Sequence, residues 1–162
     1  MIDFIYKPTN SRIWRWKFRQ QSEDKKIADV SLKTSDKRCA EKRRDKLREE
    51  KLFERDGLIL PKVARDAAQR ELSNHLDDFL GDMRRRGKSE KYLSNLEFRA
   101  GKLIEDCQWN TVKEVTADSF QTWRRKNQEL ATKTVNDYLE AMRCFLGWLI
   151  KNGRIQFDPL QT

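Results

Sequence analysis

Residues 14–19 alternate between apolar and basic side chains in the manner of a β-strand. The aromatic positions are Trp14, Trp16 and Phe18, and the basic ones are Arg15, Lys17 and Arg19. Because successive side chains of a strand point to opposite faces, this period of two separates the two classes completely. The pattern predicts a strand with one face in a core and the other face cationic.

Two further runs predict the partners of this strand. The second run follows a polar interval at residues 20–24 and has apolar residues at the alternate positions Ala28, Val30 and Leu32. Two alternating runs joined by a short polar interval are typical of a β-hairpin. A third, edge strand that ends before Pro8 is expected from the alternate residues Ile2, Phe4 and Tyr6.

The pattern changes to that of a helix near Ser35. Thr34 or Ser35 can cap its first turn, Asp36 suits the positive end of the helix dipole, and Gly57 ends it. The sparse apolar positions are sufficient to cover one side of a small sheet: Cys39, Ala40, Leu47, Leu52 and Phe53. Residues 1–57 are therefore predicted to form a three-stranded sheet plus one helix.

The helix-breaking residues from Gly57 to Pro61 lie between two long helical patterns, so residues 58–63 are predicted to be a linker. Four helices are expected in residues 64–157. The first, from about Arg65 to Arg86, has an apolar stripe at helical spacing, formed by Ala68, Leu72, Leu76, Phe79 and Met83.

The other three helices begin at recognisable caps, Ser89, Thr116 and Thr132, and the last ends at Asn152 and Gly153. The stripe of the fourth helix consists of Val135, Leu139, Met142, Leu146 and Leu149. The tryptophans fall on or beside apolar faces, which favours a role in the core over base stacking. The sequence therefore predicts a mainly α chain, in which a small three-stranded β-sheet plus helix precedes a four-helix bundle.

The charge balance indicates a polyanionic partner. Lys and Arg number 35 against 26 Asp and Glu, a net charge of +9. No run approaches the roughly 20 apolar residues that span a bilayer, and no secretory signal opens the chain, so we expect a cytoplasmic protein with no membrane partner. The three cysteines lack the spacing of a zinc site, and we expect neither a metal nor a cofactor.

The helical half resembles the core-binding (SAM-like) domain of tyrosine recombinases. The likeness rests on Gly87-Lys88-Ser89, on Val115-Thr116, on residues 131–136 (Ala-Thr-Lys-Thr-Val-Asn), on residues 145–155 and on Pro159-Leu160. The basic, aromatic strands followed by a helix are similar to the arm-binding domain of phage lambda-type integrases. The resemblance implies a SAM-like bundle that binds DNA beside other recombinase protomers.

In that family a separate domain supplies the arginines, lysine, histidines and nucleophilic tyrosine that cut DNA. Nothing in this sequence matches that domain. His75, the single histidine, is followed by Asp78 where an H-x-x-R motif would need arginine, and it is expected to be a partly exposed helix residue. We therefore expect no catalysis by this chain, and residues 158–162 are expected to begin a linker to a catalytic domain.

Two groups of residues in the helical half are candidate DNA contacts. Lys91 and Asn95 are four apart on one helix face and match positions at which the family's domain meets DNA. The alternative is a solvated helix face. A second group can offer a helix start, hydroxyls and a cation to phosphate, namely Thr132, Lys133, Thr134 and Asn136. Capping by Thr132 is expected as well.

Basic residues elsewhere have two interpretations each. The cationic face of Arg15, Lys17 and Arg19 suits a ribbon in the major groove, although such residues also keep an edge strand from pairing with another chain. Lys88 and the run from Arg84 to Arg86 can contact phosphate, or the run can simply complement the negative end of a helix.

The sequence-based hypothesis is thus sequence-specific binding of double-stranded DNA by the N-terminal part of a tyrosine recombinase. Two alternatives remain: a stand-alone architectural or regulatory DNA-binding protein, and a helical protein-interaction module whose charge serves solubility. Salt-sensitive binding to duplex DNA would separate the last from the other two.

Overall fold

A computed structural model describes residues 2–19 and 27–161, and the chain forms two compact units. The first unit ends at Leu60 and the second begins at Pro61, so the division falls within the predicted linker. A small three-stranded antiparallel sheet comes first and helices follow. The predicted mainly α class, with its small N-terminal sheet, is confirmed.

The sheet of the first unit has the order β1 (Asp3–Tyr6), β2 (Arg15–Phe18) and β3 (Ala28–Ser31). Both pairings are antiparallel, and Ile5, Trp16 and Val30 stand opposite one another on the core face. The predicted separation of faces is confirmed for β2, where Trp16 is only 2% exposed. The polar interval at residues 20–24 lies outside the described residues.

In β1 the face that points away from the core carries the larger side chains. Phe4 stands opposite Lys17 and Tyr6 opposite Arg15, whereas Ile5 packs in the core. Phe4 is 48% exposed. The aromatic side chains of β1 therefore lie on the cationic face of the sheet.

Helix α1 (Lys37–Arg55) covers the core face of the sheet with Ala40 and Leu47. Its cap is Asp36, which accepts from the Cys39 amide at 2.6 Å, and the predicted cap at Thr34 or Ser35 is wrong. The Thr34 hydroxyl instead accepts from the Asp36 amide at 3.2 Å, one step outside the helix. Three of the expected apolar contacts stay exposed, those of Cys39, Leu52 and Phe53.

The single helix predicted at the start of the second unit is in fact two, α2 (Lys62–Ala67) and α3 (Leu72–Arg85). Glu71 forms an isolated β-bridge with Thr111, and the Leu72 amide donates to the Asn110 carbonyl at 2.7 Å. This pairing draws the backbone at residues 69–71 out of the helical path. The apolar stripe of α3 still faces the core, which contains Leu72, Leu76 and Phe79.

The remaining helices are α4 (Glu90–Asp106), α5 (Ala117–Lys126) and α6 (Thr132–Lys151). Ser89 caps α4, and Thr116 caps α5 in a reciprocal capping box with Ser119, as residues of these types do at helix starts. Helix α6 gives way at Asn152 to Gly153, whose φ is 66°. The core role expected of the tryptophans is confirmed, since four are buried, namely Trp16, Trp109, Trp123 and Trp148.

Candidate nucleic-acid interface

Helices α4 and α6 pack side by side and run antiparallel. The Tyr92 hydroxyl lies 3.9 Å from the Cys144 Sγ, near the start of α4 and late in α6. Further along α4, the Arg99 guanidinium pairs with the Asp137 carboxylate at 2.8 Å. These two contacts lie along the line where α4 and α6 touch. The exposed faces of the two helices form one continuous surface along this edge.

The candidate residues of α4 lie along this edge. Lys91, Asn95 and Arg99 follow one another at intervals of four, so helical geometry stacks them on one face. Lys91 and Asn95 are exposed. Just before the helix, the Lys88 Nζ lies 5.9 Å from the centre of the Tyr92 ring. The Lys88 ammonium thus lies beside Tyr92, at the start of this edge.

On α6, Lys133 lies one turn before Asp137 and therefore on the same face. Its side chain is exposed, as is that of Asn136. Along the helix axes Lys133 is roughly 18 Å from Lys91, at 1.5 Å per residue. Two cations at that separation can meet different phosphates. We call the surface formed by Lys88, Lys91, Asn95, Arg99, Lys133 and Asn136 the α4–α6 face.

The cations of this face differ in what they are bound to. Arg99 is paired with Asp137, and the nearby Lys102 Nζ is 2.7 Å from Asp106. Lys91 and Lys133, by contrast, form no ion pair within the part of the chain that the structure describes. Lys88 likewise forms no ion pair among the described residues, and its ammonium lies beside the Tyr92 ring. These three ammonium groups are available to a phosphate without loss of an existing ion pair.

The remaining candidate residues, Thr132 and Thr134, lie in the first turn of α6 and differ in their surroundings. The N-cap of α6 is Ala131 and no side chain caps the first turn, so the expected capping by Thr132 is wrong. Thr132 is already the first residue of the helix, and its side chain lines a groove with Arg124 and Arg125. Thr134 is half-buried. Among the described residues, no side chain caps the amide groups of this first turn.

Sequence reasoning did not single out Arg124 and Arg125. Both are exposed near the end of α5, and the Arg125 guanidinium donates to the Thr122 hydroxyl at 3.1 Å. Their signal was a basic run followed by the predicted start of a helix. A basic run at the end of a helix is also explained by the helix dipole alone, so the sequence does not distinguish it as a binding site.

The run from Arg84 to Arg86 is engaged in internal ion pairs. Arg84 makes two hydrogen bonds to Glu90, at 2.9 and 3.2 Å, and Arg86 lies 2.6 Å from Asp82. The hydrogen bond from the Trp148 indole, and then the charges of Arg86 and Arg85, hold the pKa of Asp82 below its usual value. Every arginine of the run therefore has a structural partner, since Arg85 also pairs with Asp82.

On the exposed face of the first unit's sheet, Arg15 is held by Asp29. Its Nε lies 2.8 Å from the Asp29 carboxylate, which also accepts from the Tyr6 hydroxyl at 2.6 Å. The Tyr6 and Arg15 hydrogen bonds lower the pKa of Asp29. The Lys17 Nζ lies 6.0 Å from the centre of the Tyr6 ring.

The position of β2 bears on the two interpretations of these cations. Because β2 is paired on both sides, Arg15 and Lys17 do not protect a free strand edge. Arg19 follows β2 and lines a separate groove with Arg48 and Lys51, on the side of the sheet that faces α1. The expected row of three cations is therefore reduced to two on the exposed face.

His75 is buried, with 1% of its surface exposed, and the expectation of a partly exposed side chain is wrong. Its Nε2 donates to the Ala67 carbonyl at 3.1 Å, while its Nδ1 accepts from Arg154 at 2.7 Å. Arg154 also donates to Asp78 at 2.9 Å. Burial lowers the pKa of His75. The histidine ties the segment after α6 to α3.

Among residues 2–19 and 27–161, no three His, Cys, Asp or Glu side chains are placed to hold a metal ion. Nor does any helix in these ranges have the length and apolar character that crossing a bilayer requires. No protein-family model matches the chain, and no curated protein or solved structure resembles it significantly.

Proposed function

We propose that this chain binds double-stranded DNA as the non-catalytic, N-terminal part of a tyrosine recombinase, with the α4–α6 face on the duplex. The observation that carries the proposal is the placement of Lys91 and Lys133. They lie on one exposed face, roughly 18 Å apart, and neither pairs with a carboxylate in the described ranges. Unpaired ammonium groups on a shared face suit a regular array of phosphates.

The physical basis of binding is neutralisation of phosphate charge. Lysines that contact phosphate release condensed counterions, so affinity falls steeply as salt rises. Asn95 lies between Lys91 and Arg99 on α4, where its amide can reach a phosphate or the edge of a base. The uncapped first turn of α6 adds amide donors at the positive end of a helix, which favours an anion.

The exposed face of the sheet supports a second contact. A narrow antiparallel ribbon fits the major groove, and its central strand β2 presents Lys17 and Arg15 there. We assign the leading role to Lys17, because Arg15 is engaged by Asp29. Two modest contacts on one chain reinforce each other through effective concentration.

We do not assign DNA cleavage to this chain. The single histidine of the chain, His75, is buried between the Ala67 carbonyl and Arg154, where it cannot reach a scissile phosphate. The proposed role is therefore to hold DNA and other recombinase protomers in place for chemistry performed by another domain. No cofactor enters this proposal.

The test compares charge reversals by fluorescence anisotropy on a mixed-sequence duplex, at roughly 50 and 200 mM salt. Lys91→Glu and Lys133→Glu, separately and together, should weaken binding, and each should lower the slope of log affinity against log salt by about one. The matched control is Lys113→Glu, an exposed lysine in the turn between α4 and α5, which should leave affinity almost unchanged.

Three outcomes are informative. Loss of affinity in the two variants but not in Lys113→Glu supports the α4–α6 face. Equal losses in all three variants would mean that only the net charge matters and would remove the site assignment. A chain that shows no salt-sensitive binding to duplex DNA would overturn the proposal and favour a protein-interaction module.

A further inference from the structure

Phe98 is the most exposed of the large apolar side chains on α4. Phe98 is 64% exposed, although its helix packs on both α3 and α6. Its ring centre lies 6.5 Å from that of Tyr138, which in turn lies 5.4 Å from that of Trp123 in the core. The Phe98 ring is thus supported on one side by the aromatic core and open on the other.

Cations bracket this ring along the helix. Lys91 lies seven residues before Phe98 and Lys102 four residues after it, and these intervals place all three on the same side of α4. Lys102 is paired with Asp106 at 2.7 Å, whereas Lys91 has no ion pair among the described residues. An exposed phenyl ring on the same side as an unpaired lysine is best covered by a partner that offers an apolar group beside negative charge. Duplex DNA has both, since the thymine methyl lies in the major groove between two rows of phosphates.

Two of the neighbours of Phe98 on the helix surface are small. Ser94 precedes it by four residues, and Gly101 follows it by three. Gly101 does not have the positive φ that favours glycine, and a Cβ at this position would meet no atom within 4 Å. Neither the backbone nor the packing of the chain therefore requires glycine here, although glycine weakens a helix relative to alanine. Glycine is also used where a ligand approaches the backbone closely.

We propose that Phe98 reads thymine methyl groups in the major groove of bound DNA, and that Gly101 allows the duplex to approach α4 closely. The proposal rests on the DNA-binding function proposed above and adds to it a source of sequence preference. Lys91 would supply affinity for any duplex, whereas the ring would favour sequences that place a methyl group beneath it.

The test uses an alternating A·T duplex and its counterpart with uracil in place of thymine. Wherever the chain binds along the duplex, the first offers the methyl group to Phe98 and the second lacks it. The full chain should prefer the thymine duplex by about threefold to fourfold, the factor expected for one buried methyl-sized group. Phe98→Ala should bind the thymine duplex more weakly and lose most of this preference. Its salt dependence should match that of the unaltered chain, because no phosphate contact is removed.

A second variant probes the close approach. Gly101→Ala should raise the melting temperature by about 2–8 °C, because alanine favours the helix and meets no obstruction. The same change should weaken duplex binding. Gly81→Ala is the matched control, since this helical glycine is equally unobstructed but lies on α3 beside the exposed Asp77. It should stabilise the chain and leave DNA affinity unchanged.

The results separate this inference from the proposed function. Absence of salt-sensitive binding by the unaltered chain would overturn both. Salt-sensitive binding with no thymine preference, or with the same preference in Phe98→Ala, would overturn the role of Phe98 alone. Dissociation of a self-associated form by Phe98→Ala, with DNA affinity intact, would assign the ring to a protein contact instead.

Discussion

The basic side chains of this chain differ in whether they would have to break an existing ion pair in order to bind phosphate. Arg15, Arg84 and Arg86 each hold a carboxylate at 2.6 to 2.9 Å, and such a guanidinium must give up its ion pair or share it. Lys91 and Lys133 have no such bond to break within the described part of the chain. The hydrogen-bond network around a cation, more than its presence in the sequence, thus selects the residues assigned to the proposed DNA contact.

His75 carries a prediction about acid stability. Its Nδ1 accepts a hydrogen bond from Arg154, so the buried ring is neutral, and burial lowers its pKa below the usual value near 6.5. The unfolded chain therefore binds a proton first as the pH falls through about 6.5. The free energy of unfolding should fall between about pH 7 and pH 5, by at most about 1.4 kcal/mol per pH unit.

Urea unfolding across this pH range measures the effect. His75→Gln keeps an amide donor and an acceptor but no titrating ring, so its stability should be lower overall and nearly independent of pH in the same window. Asp78 and Asp82 have lowered pKa values and titrate at more acidic pH. An identical pH dependence in the variant would mean that His75 is not the group responsible.

For helices and strands, the periodicity of apolar residues predicted which face of an element is buried, because local sequence determines that face. The alternation around Trp16 located the core face of β2, and the stripe of α6 located its buried side. Two features depend on distant residues and were missed. The break at residues 69–71 follows from the pairing of Glu71 with Thr111, and the engagement of Arg15 follows from a strand register that brings Asp29 beside it.

The candidate site shows the same division. Spacing alone placed Lys91 and Asn95 on one face of a helix, which α4 retains. The sequence could not show that Lys133 joins them, because this depends on the antiparallel packing of α6 marked by the Arg99 and Asp137 ion pair. Nor could it separate Thr134 from Thr132, since burial at a helix start is set by the neighbouring helix.

The start of α6 gives a prediction at this scale. Ala131 provides no cap, so Ala131→Ser should stabilise the helix by about 1 kcal/mol. Ala131→Asp should stabilise it at least as much, because a carboxylate also complements the helix dipole. If phosphate binds at this turn, the aspartate should weaken duplex binding severalfold more than the serine does. Thermal melts and anisotropy on the same samples give both quantities, and equal affinities would exclude a phosphate at the α6 start.

The whole molecule distributes its charge unevenly between the two units. Residues 1–60 contain 17 basic and 11 acidic side chains, a net charge of +6, and residues 61–162 contain 18 and 15, a net charge of +3. The smaller unit has the larger excess, yet several of its arginines are paired. Both units carry a positive excess, so the proposed DNA binding is expected to involve both of them.

If both units bind the same DNA duplex, neutralising one lysine in each unit should have additive effects on affinity. Lys17→Gln on the sheet and Lys91→Gln on α4 should each lower the salt slope of duplex binding by about one, and the double variant should lower it by about two. Their free energies should add, because the two sites belong to separate compact units and share no partner. Lys91→Gln combined with Lys113→Gln is the control and should resemble Lys91→Gln alone. If the double variant binds no more weakly than the weaker of its parents, only one unit contacts DNA, and the sheet or the α4–α6 face must be given another role.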